Sequence, residues 1–178
     1  TLLGKRKLLD AVCRYADYIS QVFGKEEGKK HGYPGHQELE LALVRLYEVT
    51  QNERYLKLAK YFIDERGTEP NYFILEGHSH TYGLKNRQAH IPVREQSDAD
   101  GHAVRALYMY SAMADLAGYY KDEALMAACR KLFDSIAKRR MYITGGVGST
   151  FAGEAFTIDY DLTNGSLMYA ESCAAIAL

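Results

Sequence analysis

The stretch GHAVRALYMYSAMADLA occupies residues 101–117, and it decides the fold of this chain. A helical apolar run follows the pair Gly101-His102, and GHQELELALVRLY at residues 35–47 has the same arrangement 66 residues earlier. Two charged segments, 53–64 and 123–134, also align with each other, at an offset of 70 residues. Self-similarity at a nearly fixed period is typical of supersecondary units that stack on one another.

The repeat divides the chain into alternating helices of two kinds. A charged helix is followed by a loop and then by a more apolar helix, so we expect the first kind to face solvent and the second to face inward. The sequence predicts six helices, over residues 5–23, 36–49, 53–65, 102–117 and 122–139 and from near Leu167 onward. This pattern predicts an all-α fold in which helical hairpins form about half of an (α/α)6 barrel. An open solenoid of helix pairs is the alternative.

The length of the chain and the sequence at its two ends predict that residues 1–178 form one partial domain. A chain of 178 residues has the size of a single domain. The sequence starts inside a charged amphipathic stretch without a cap and stops in an apolar run without a stop signal, as expected of a fragment of a longer domain. Half of a barrel would expose the surface of its inner helices, so we expect the isolated chain to self-associate.

Charge and cysteine usage exclude several classes of partner. The net charge is -1 without a basic or acidic block, which argues against nucleic acid and anionic membranes. No apolar run approaches the roughly 18 residues that a membrane span needs. The three cysteines lie far apart and the N-terminal residues lack a signal-peptide pattern, so we expect a reducing, cytoplasmic location.

Two long segments precede apolar helices and hold most of the unusual polar residues. The stretch 67–100 is too long for a simple connector and is predicted to be a functional loop. The glycines of the loop 144–153 lack the Lys-Ser/Thr ending of a phosphate-binding loop. They indicate a close approach of the backbone or unusual torsion angles instead.

Three candidate functional groups lie at these positions. His36 and His102 are predicted at helix N-termini, where the dipole disfavours the charged ring and a neutral imidazole can bind a sugar hydroxyl. Each could equally be a capping or packing histidine. Glu154 lies near Phe156, and a carboxyl group among apolar neighbours can have a raised pKa and donate a proton. Glu154 could equally be an ordinary exposed glutamate of a loop.

The segment Glu171-Ser172-Cys173 places a carboxylate and a thiol two residues apart. Both groups bind zinc when they converge at the start of a helix. Two ligands do not complete a zinc site, and this spacing is common in proteins that bind no metal.

Four stretches together carry a resemblance to a known family. They are GHQELELALVRLY (35–47), HIPVREQSDADGHAVRALYMYSAMADLA (90–117), MYITGGVGSTFAGEAFTIDYDL (141–162) and YAESCAAIA (169–177). In these stretches, which follow the family's order, the chain resembles the beta-L-arabinofuranosidases of glycoside hydrolase family 127 and its relatives. The resemblance implies a six-hairpin helical barrel and an arabinose-containing oligosaccharide or glycoconjugate as substrate.

The resemblance also implies residue roles. Glu154 corresponds to the general acid/base, Glu171 and Cys173 to zinc ligands, and His36 and His102 to residues that contact the sugar. In the family, a further cysteine pair completes the zinc site, and one member is the nucleophile of a retaining hydrolysis. This chain ends before any such pair, so we expect it to be inactive alone and to belong to a zinc-dependent hydrolase.

Two other functions remain open from the sequence. One is a zinc-free carbohydrate enzyme on the same barrel, such as a sugar epimerase or an unsaturated-glycoside hydrolase. The other is a carbohydrate-binding scaffold that keeps the barrel without the nucleophile. The zinc content of the full-length protein distinguishes the first from the family's mechanism.

Overall fold

Helices dominate the computed structural model of the chain, which describes residues 4–78, 81–163, 165 and 168–178. A 3-10 turn at Val93–Glu95 and two very short strands, β1 (Gly101–His102) and β2 (Ala155–Phe156), accompany the helices. In the described part, no helix has both the length and the apolar character that crossing a bilayer requires. The helices are α1 (Lys7–Val22), α2 (Leu39–Thr50), α3 (Glu53–Glu65), α4 (Tyr72–Leu75), α5 (Thr81–Asn86), α6 (Ala103–Tyr120), α7 (Glu123–Arg139) and α8 (Ser172–Ala177).

The long helices pack as two layers of hairpins. Helices α2, α6 and α8 are neighbours in one layer. Against them, α3 packs on α2 and α6, α7 packs on α6, and α1 packs on α3. The predicted all-α fold is confirmed, and its layered hairpins are consistent with part of a helical barrel.

The predicted repeat is visible in the turns between paired helices. Gln51 and Lys121 end α2 and α6 in the left-handed conformation, with φ of 57° and 53°. The next residues, Asn52 and Asp122, then cap α3 and α7, because each side chain accepts a hydrogen bond from a backbone N–H of the first turn. Equivalent stop and start residues therefore recur 70 positions apart, as the alignment predicted.

Two helices begin later than predicted. Helix α2 begins at Leu39 rather than at residue 36, because the buried amide of Gln37 donates to Arg87 O at 2.9 Å and holds that segment outside the helix. The last helix begins at Ser172; the predicted start, Leu167, lies outside the described residues, and residues 168–170 are not helical. This non-helical stretch runs close to the glycine-rich loop, with Tyr169 O near Gly148.

The segment 67–100 was predicted as a loop, and this prediction was incomplete. It contains α4, α5 and the 3-10 turn. Helix α4 is capped by Asn71, whose side chain accepts from Phe73 N at 3.1 Å. Gln88 and Gln96 of the segment are buried, so part of it belongs to the interior, whereas Leu75 on α4 is 70% exposed.

The predicted division into inward and outward helices holds only in part. Helix α6 has buried residues in every turn, whereas α1 buries only Ala16 and Ile19, as expected. Helix α3 was predicted to face solvent, yet Leu56, Ala59 and Ile63 are among its buried residues because α1, α2 and α6 all pack against it. In α8, predicted to face inward, Ile176 is 81% exposed.

A buried ion pair joins α2 to the end of α3. Arg66 Nη2 lies 3.3 Å from Glu40 Oε1, and both side chains are at most 1% exposed. The guanidinium also donates to Pro34 O at 2.7 Å and Arg87 O at 2.9 Å, and it stacks 4.6 Å from the centre of the Tyr33 ring. Burial raises the pKa of Glu40 and lowers that of Arg66, so each charge depends on its partner for stabilisation.

Substituting Glu40 by Met in the full-length protein should lower the free energy of unfolding by about 3–5 kcal/mol, because the buried charge of Arg66 loses its counter-ion. The matched control is Glu48→Met on the same helix, whose partner Arg45 is 54% exposed. That change should cost at most about 1 kcal/mol. Urea unfolding followed by circular dichroism measures both, and equal losses would contradict the importance of the buried pair.

Candidate active site

A two-residue strand pairing brings distant parts of the chain together. Strand β1 pairs antiparallel with β2, with Gly101 opposite Phe156 and His102 opposite Ala155. The first N–H of α6, on Ala103, donates to Glu154 O at 2.9 Å. The start of α6 and the turn that carries Glu154 are therefore fixed side by side.

Both carboxylate oxygens of Glu154 have partners. Oε2 lies 2.7 Å from His102 Nε2, and Oε1 accepts from the Tyr169 hydroxyl at 3.1 Å. The side chain is nevertheless 44% exposed. Its backbone has a φ of 52°, which is uncommon for a residue with a side chain. The carboxylate is thus oriented by two neighbours while it stays accessible to a ligand.

His102 caps α6, and its two ring nitrogens face Arg105 N and the Glu154 carboxylate. Its Nδ1 accepts from Arg105 N at 3.4 Å, so Nε2 carries the proton that is donated to Glu154. Burial lowers the pKa of His102, and the nearby Arg105 lowers it further. The expected neutral imidazole at a helix N-terminus agrees with this geometry. Its predicted sugar contact stays a prediction.

His36 lies next to His102 although it does not open a helix. The two rings are 5.5 Å apart with an interplanar angle of 77°, an edge-to-face arrangement. His36 lies two residues before Glu38, the N-cap of α2, and its side chain is 39% exposed. The pKa of His36 is lowered, because the effect of partial burial exceeds the opposing effect of the nearby Glu38 carboxylate. Burial, and not a helix dipole, is therefore the first cause that favours the neutral ring of His36, and its predicted contact with a sugar stays a prediction.

Glu171 completes a cluster of potential ligand groups. Its carboxylate, that of Glu154 and the imidazole of His102 place one donor atom each within 4.8 Å of one another. Glu171 Oε2 is buried without a hydrogen-bond partner among the described residues. Cys173, half-buried in the first turn of α8, packs against the core and does not join this three-residue cluster. The structure thus brings His36, His102, Glu154 and Glu171 together. The fifth predicted site residue, Cys173, follows Glu171 by two positions in the chain but lies outside the three-residue cluster.

Tyr169 also lies in the candidate site, although no sequence pattern predicted it. Besides its bond to Glu154, burial and the neighbouring carboxylates of Glu154 and Glu171 raise the pKa of Tyr169 to about 12. The phenol therefore keeps its proton and remains a donor at neutral pH. Nothing distinguishes it among fifteen tyrosines except its place two residues before Glu171.

Two glycines permit the close packing around Glu154. Gly101 has a φ of 74°, and a Cβ there would overlap the Lys85 carbonyl oxygen. Gly148 has a φ of 89°, and a Cβ there would lie 3.0 Å from the Cβ of Ala103. The expectation that the glycine-rich loop allows a close backbone approach is confirmed, since its Gly148 packs directly on the start of α6.

The sequence profile of the beta-L-arabinofuranosidase GH127 catalytic domain matches residues 1–178, the whole chain that carries this site. The chain belongs to this family. Its predicted resemblance to beta-L-arabinofuranosidases is confirmed.

Individual relatives agree with this assignment. The chain is 42% identical over 185 residues to the non-reducing end beta-L-arabinofuranosidase of Bifidobacterium longum subsp. longum, covering 98% of this chain and 28% of that protein. It matches the structure of a GH127 beta-L-arabinofuranosidase from Geobacillus stearothermophilus T6 with 58% identity and a TM-score of 0.92, over 98% of this chain and 28% of the other. A second GH127 beta-arabinofuranosidase structure matches with 45% identity and a TM-score of 0.86, over 98% and 26%. The chain thus spans just over a quarter of the length of these relatives.

The neutral state of His102 predicts how stability depends on pH. Because its folded pKa lies below the ordinary value, the unfolded chain binds more protons than the folded protein as pH falls below 6.5. The free energy of unfolding should therefore decrease over that range, and His102→Gln should make the decrease smaller. Urea unfolding of the full-length protein at pH 7.5 and 5.5 measures this difference, and an unchanged pH dependence in the variant would contradict it.

Proposed function

We propose that the full-length protein is a retaining glycoside hydrolase that removes β-L-arabinofuranosyl groups from glycans or glycoconjugates. The observation that carries the proposal is the carboxylate of Glu154, which is held by His102 and Tyr169 and is still 44% exposed, in a chain of the GH127 family. The names of the Bifidobacterium and Geobacillus relatives support an arabinofuranosyl substrate.

Glu154 is the proposed general acid and base. It gives a proton to the glycosidic oxygen as the leaving group departs, and it later takes a proton from the water that attacks the intermediate. The fixed hydrogen bonds to both oxygens restrict the carboxylate to one orientation, which lowers the cost of aligning it with the substrate. The proposed nucleophile is a cysteine of the full-length protein outside residues 1–178.

His36 and His102 are the proposed sugar contacts. Their rings meet edge to face beside Glu154, and the more exposed ring of His36 offers a nitrogen to a hydroxyl of the sugar. Neutral imidazoles act as donor and acceptor at once, which suits a hydroxyl group. His36 would thereby fix a sugar hydroxyl beside Glu154, whereas both nitrogens of His102 are already bonded, to Arg105 N and to Glu154, so a hydroxyl reaches His102 by replacing its bond to Glu154.

Glu171 and Cys173 are the proposed zinc ligands of the chain. The buried, unpartnered Oε2 of Glu171 fits a cation, because a carboxylate oxygen is costly to bury without a partner. The thiol of Cys173 lies two residues further on, and zinc prefers such thiolate and carboxylate donors. Bound zinc would keep coordinated cysteines deprotonated and in place.

Self-association is proposed for the isolated 178-residue chain. Leu8 and Tyr15 on α1 are 78% and 65% exposed, and Ile176 on α8 is 81% exposed. Apolar side chains at this exposure favour association with further polypeptide.

Glu154→Gln in the full-length protein should lower kcat on an alkyl arabinofuranoside by about 10²–10⁴-fold, because the poor leaving group needs a proton. The loss should be smaller on an activated aryl arabinofuranoside, whose leaving group departs without that help. The matched control is Glu53→Gln in the first turn of α3, a 72% exposed residue paired with Lys57. Unchanged turnover of the alkyl substrate by the Glu154 variant would exclude the assigned role.

Elemental analysis of the full-length protein should find about one zinc ion per chain, and Cys173→Ser should lose most of it. Cys13→Ser on α1 is the matched control and should keep the zinc. Zinc missing from the unsubstituted protein would favour a zinc-free barrel enzyme or a binding scaffold. Zinc retained by the Cys173 variant would remove Cys173 from the ligand set.

A further inference from the structure

We infer that Asn86 is a positioning residue for Glu154, acting through the backbone of Gly153 and the side chain of Arg105. The inference rests on the proposed function of Glu154 as general acid and base. Asn86 is the last residue of α5, in the segment that the sequence predicted to be functional without identifying a residue within it.

The side-chain amide of Asn86 joins two parts of the site. Its Nδ2 donates to Gly153 O at 3.0 Å, one residue before Glu154. Its Oδ1 accepts from Arg105 Nη1 at 2.6 Å, in the first turn of α6. An amide offers a donor and an acceptor at once, which a carboxylate does not. Asn86 therefore spans from α6 to the turn that carries the acid.

Both anchors of this contact are themselves fixed. A Cβ on Gly101 would lie 2.6 Å from Asn86 Cα, so the end of α5 packs directly on strand β1. Arg105 is the residue whose backbone N–H faces His102 Nδ1. The Arg105 guanidinium donates to the Asn86 oxygen, and among the described residues its buried Nε has no hydrogen-bond partner. Charge-assisted bonds of this kind are stronger than neutral ones.

The turn at Glu154 needs such external support. Gly153 and Glu154 both have positive φ, at 75° and 52°, and the second is unfavourable for a residue with a side chain. Besides the β1–β2 pairing and the side-chain bonds of Glu154, the backbone carbonyls of this turn bond to α6 through Ala103 N and to α5 through Asn86. Losing the bond from Asn86 removes the support on the α5 side and lets the carboxylate shift relative to His102. A misplacement of about 1 Å can cost on the order of 10²-fold in rate.

The first test is Asn86→Ala in the full-length protein. We expect kcat on an alkyl arabinofuranoside to fall by roughly 10–100-fold with KM little changed. The loss should be smaller on an activated aryl substrate, because the substitution weakens proton donation rather than sugar binding. Equal losses on both substrates, or a change confined to KM, would overturn the inference.

The matched control is Asn52→Ala at the start of α3. The side chain of this asparagine also bonds to the backbone, since it accepts from Arg54 N at 3.1 Å, but it lies at the opposite end of α2 from the site. The control should lower the melting temperature and leave the ratio of alkyl to aryl turnover unchanged. If the alkyl-to-aryl ratio also changed in the control, the ratio would report general destabilisation. That result would overturn the inference that Asn86 positions Glu154.

A double-mutant cycle with Glu154→Gln separates action through Glu154 from an independent effect. If Asn86 acts by orienting the carboxylate, the double variant should be no slower than Glu154→Gln alone. Independent, multiplicative losses would overturn the inference.

Hydrogen exchange tests the contact without relying on catalysis. In Asn86→Ala, amides in the turn 150–156, including Ala155 N bound to Thr150 O at 3.0 Å, should exchange faster than in the unsubstituted protein. If Asn86→Ala folds poorly, Asn86→Asp replaces it, since it keeps an acceptor for Arg105 and loses the donor to Gly153. Unchanged exchange would overturn the inference. An inactive unsubstituted protein with faster exchange in the variant would instead reject the proposed function alone.

Discussion

The pairing of β1 with β2 is the contact on which the rest of the site depends. It joins only two residues from each strand, yet it sets the register of His102 against Ala155 and allows Ala103 N to bond Glu154 O. Such a short pair is not stable by itself. It persists because the start of α6 is buried, Gly148 of the glycine-rich loop packs against Ala103, and the carboxylate of Glu154 adds a bond to His102.

A buried glutamine network explains why two histidines from separate segments meet. Gln37 Nε2 donates to Gln88 Oε1 at 2.7 Å, and Gln88 Nε2 in turn approaches His102 O at 3.3 Å. Both glutamine side chains are fully buried, so breaking these bonds would leave polar groups without partners. The segment before α2 is thereby tied to the segment before α6. The rings of His36 and His102 come together for this reason, and not because both open helices.

The sequence predicted the architecture much better than the contacts of the site. Apolar periodicity and the 70-residue repeat located the long helices, since capping residues such as Asn52 and Asp122 act locally. The family resemblance supplied Glu154 and Glu171. Tyr169 and Asn86 were not found, because their roles come from partners distant in the chain and no periodic pattern records such contacts. The late starts of α2 and α8 have the same origin, in tertiary contacts that override local preference.

The spacing of the site residues has a consequence for the order of folding. The hairpins α2–α3 and α6–α7 each close through a turn of only a few residues, so the loop entropy that opposes them is small. The site instead gathers His36, His102, Glu154 and Glu171, which are separated by long stretches of chain. Contacts of such high sequence separation form late, after the local helical units. An early folding intermediate of this protein would thus show helical circular dichroism and packed hairpins, yet would lack the geometry that orients Glu154.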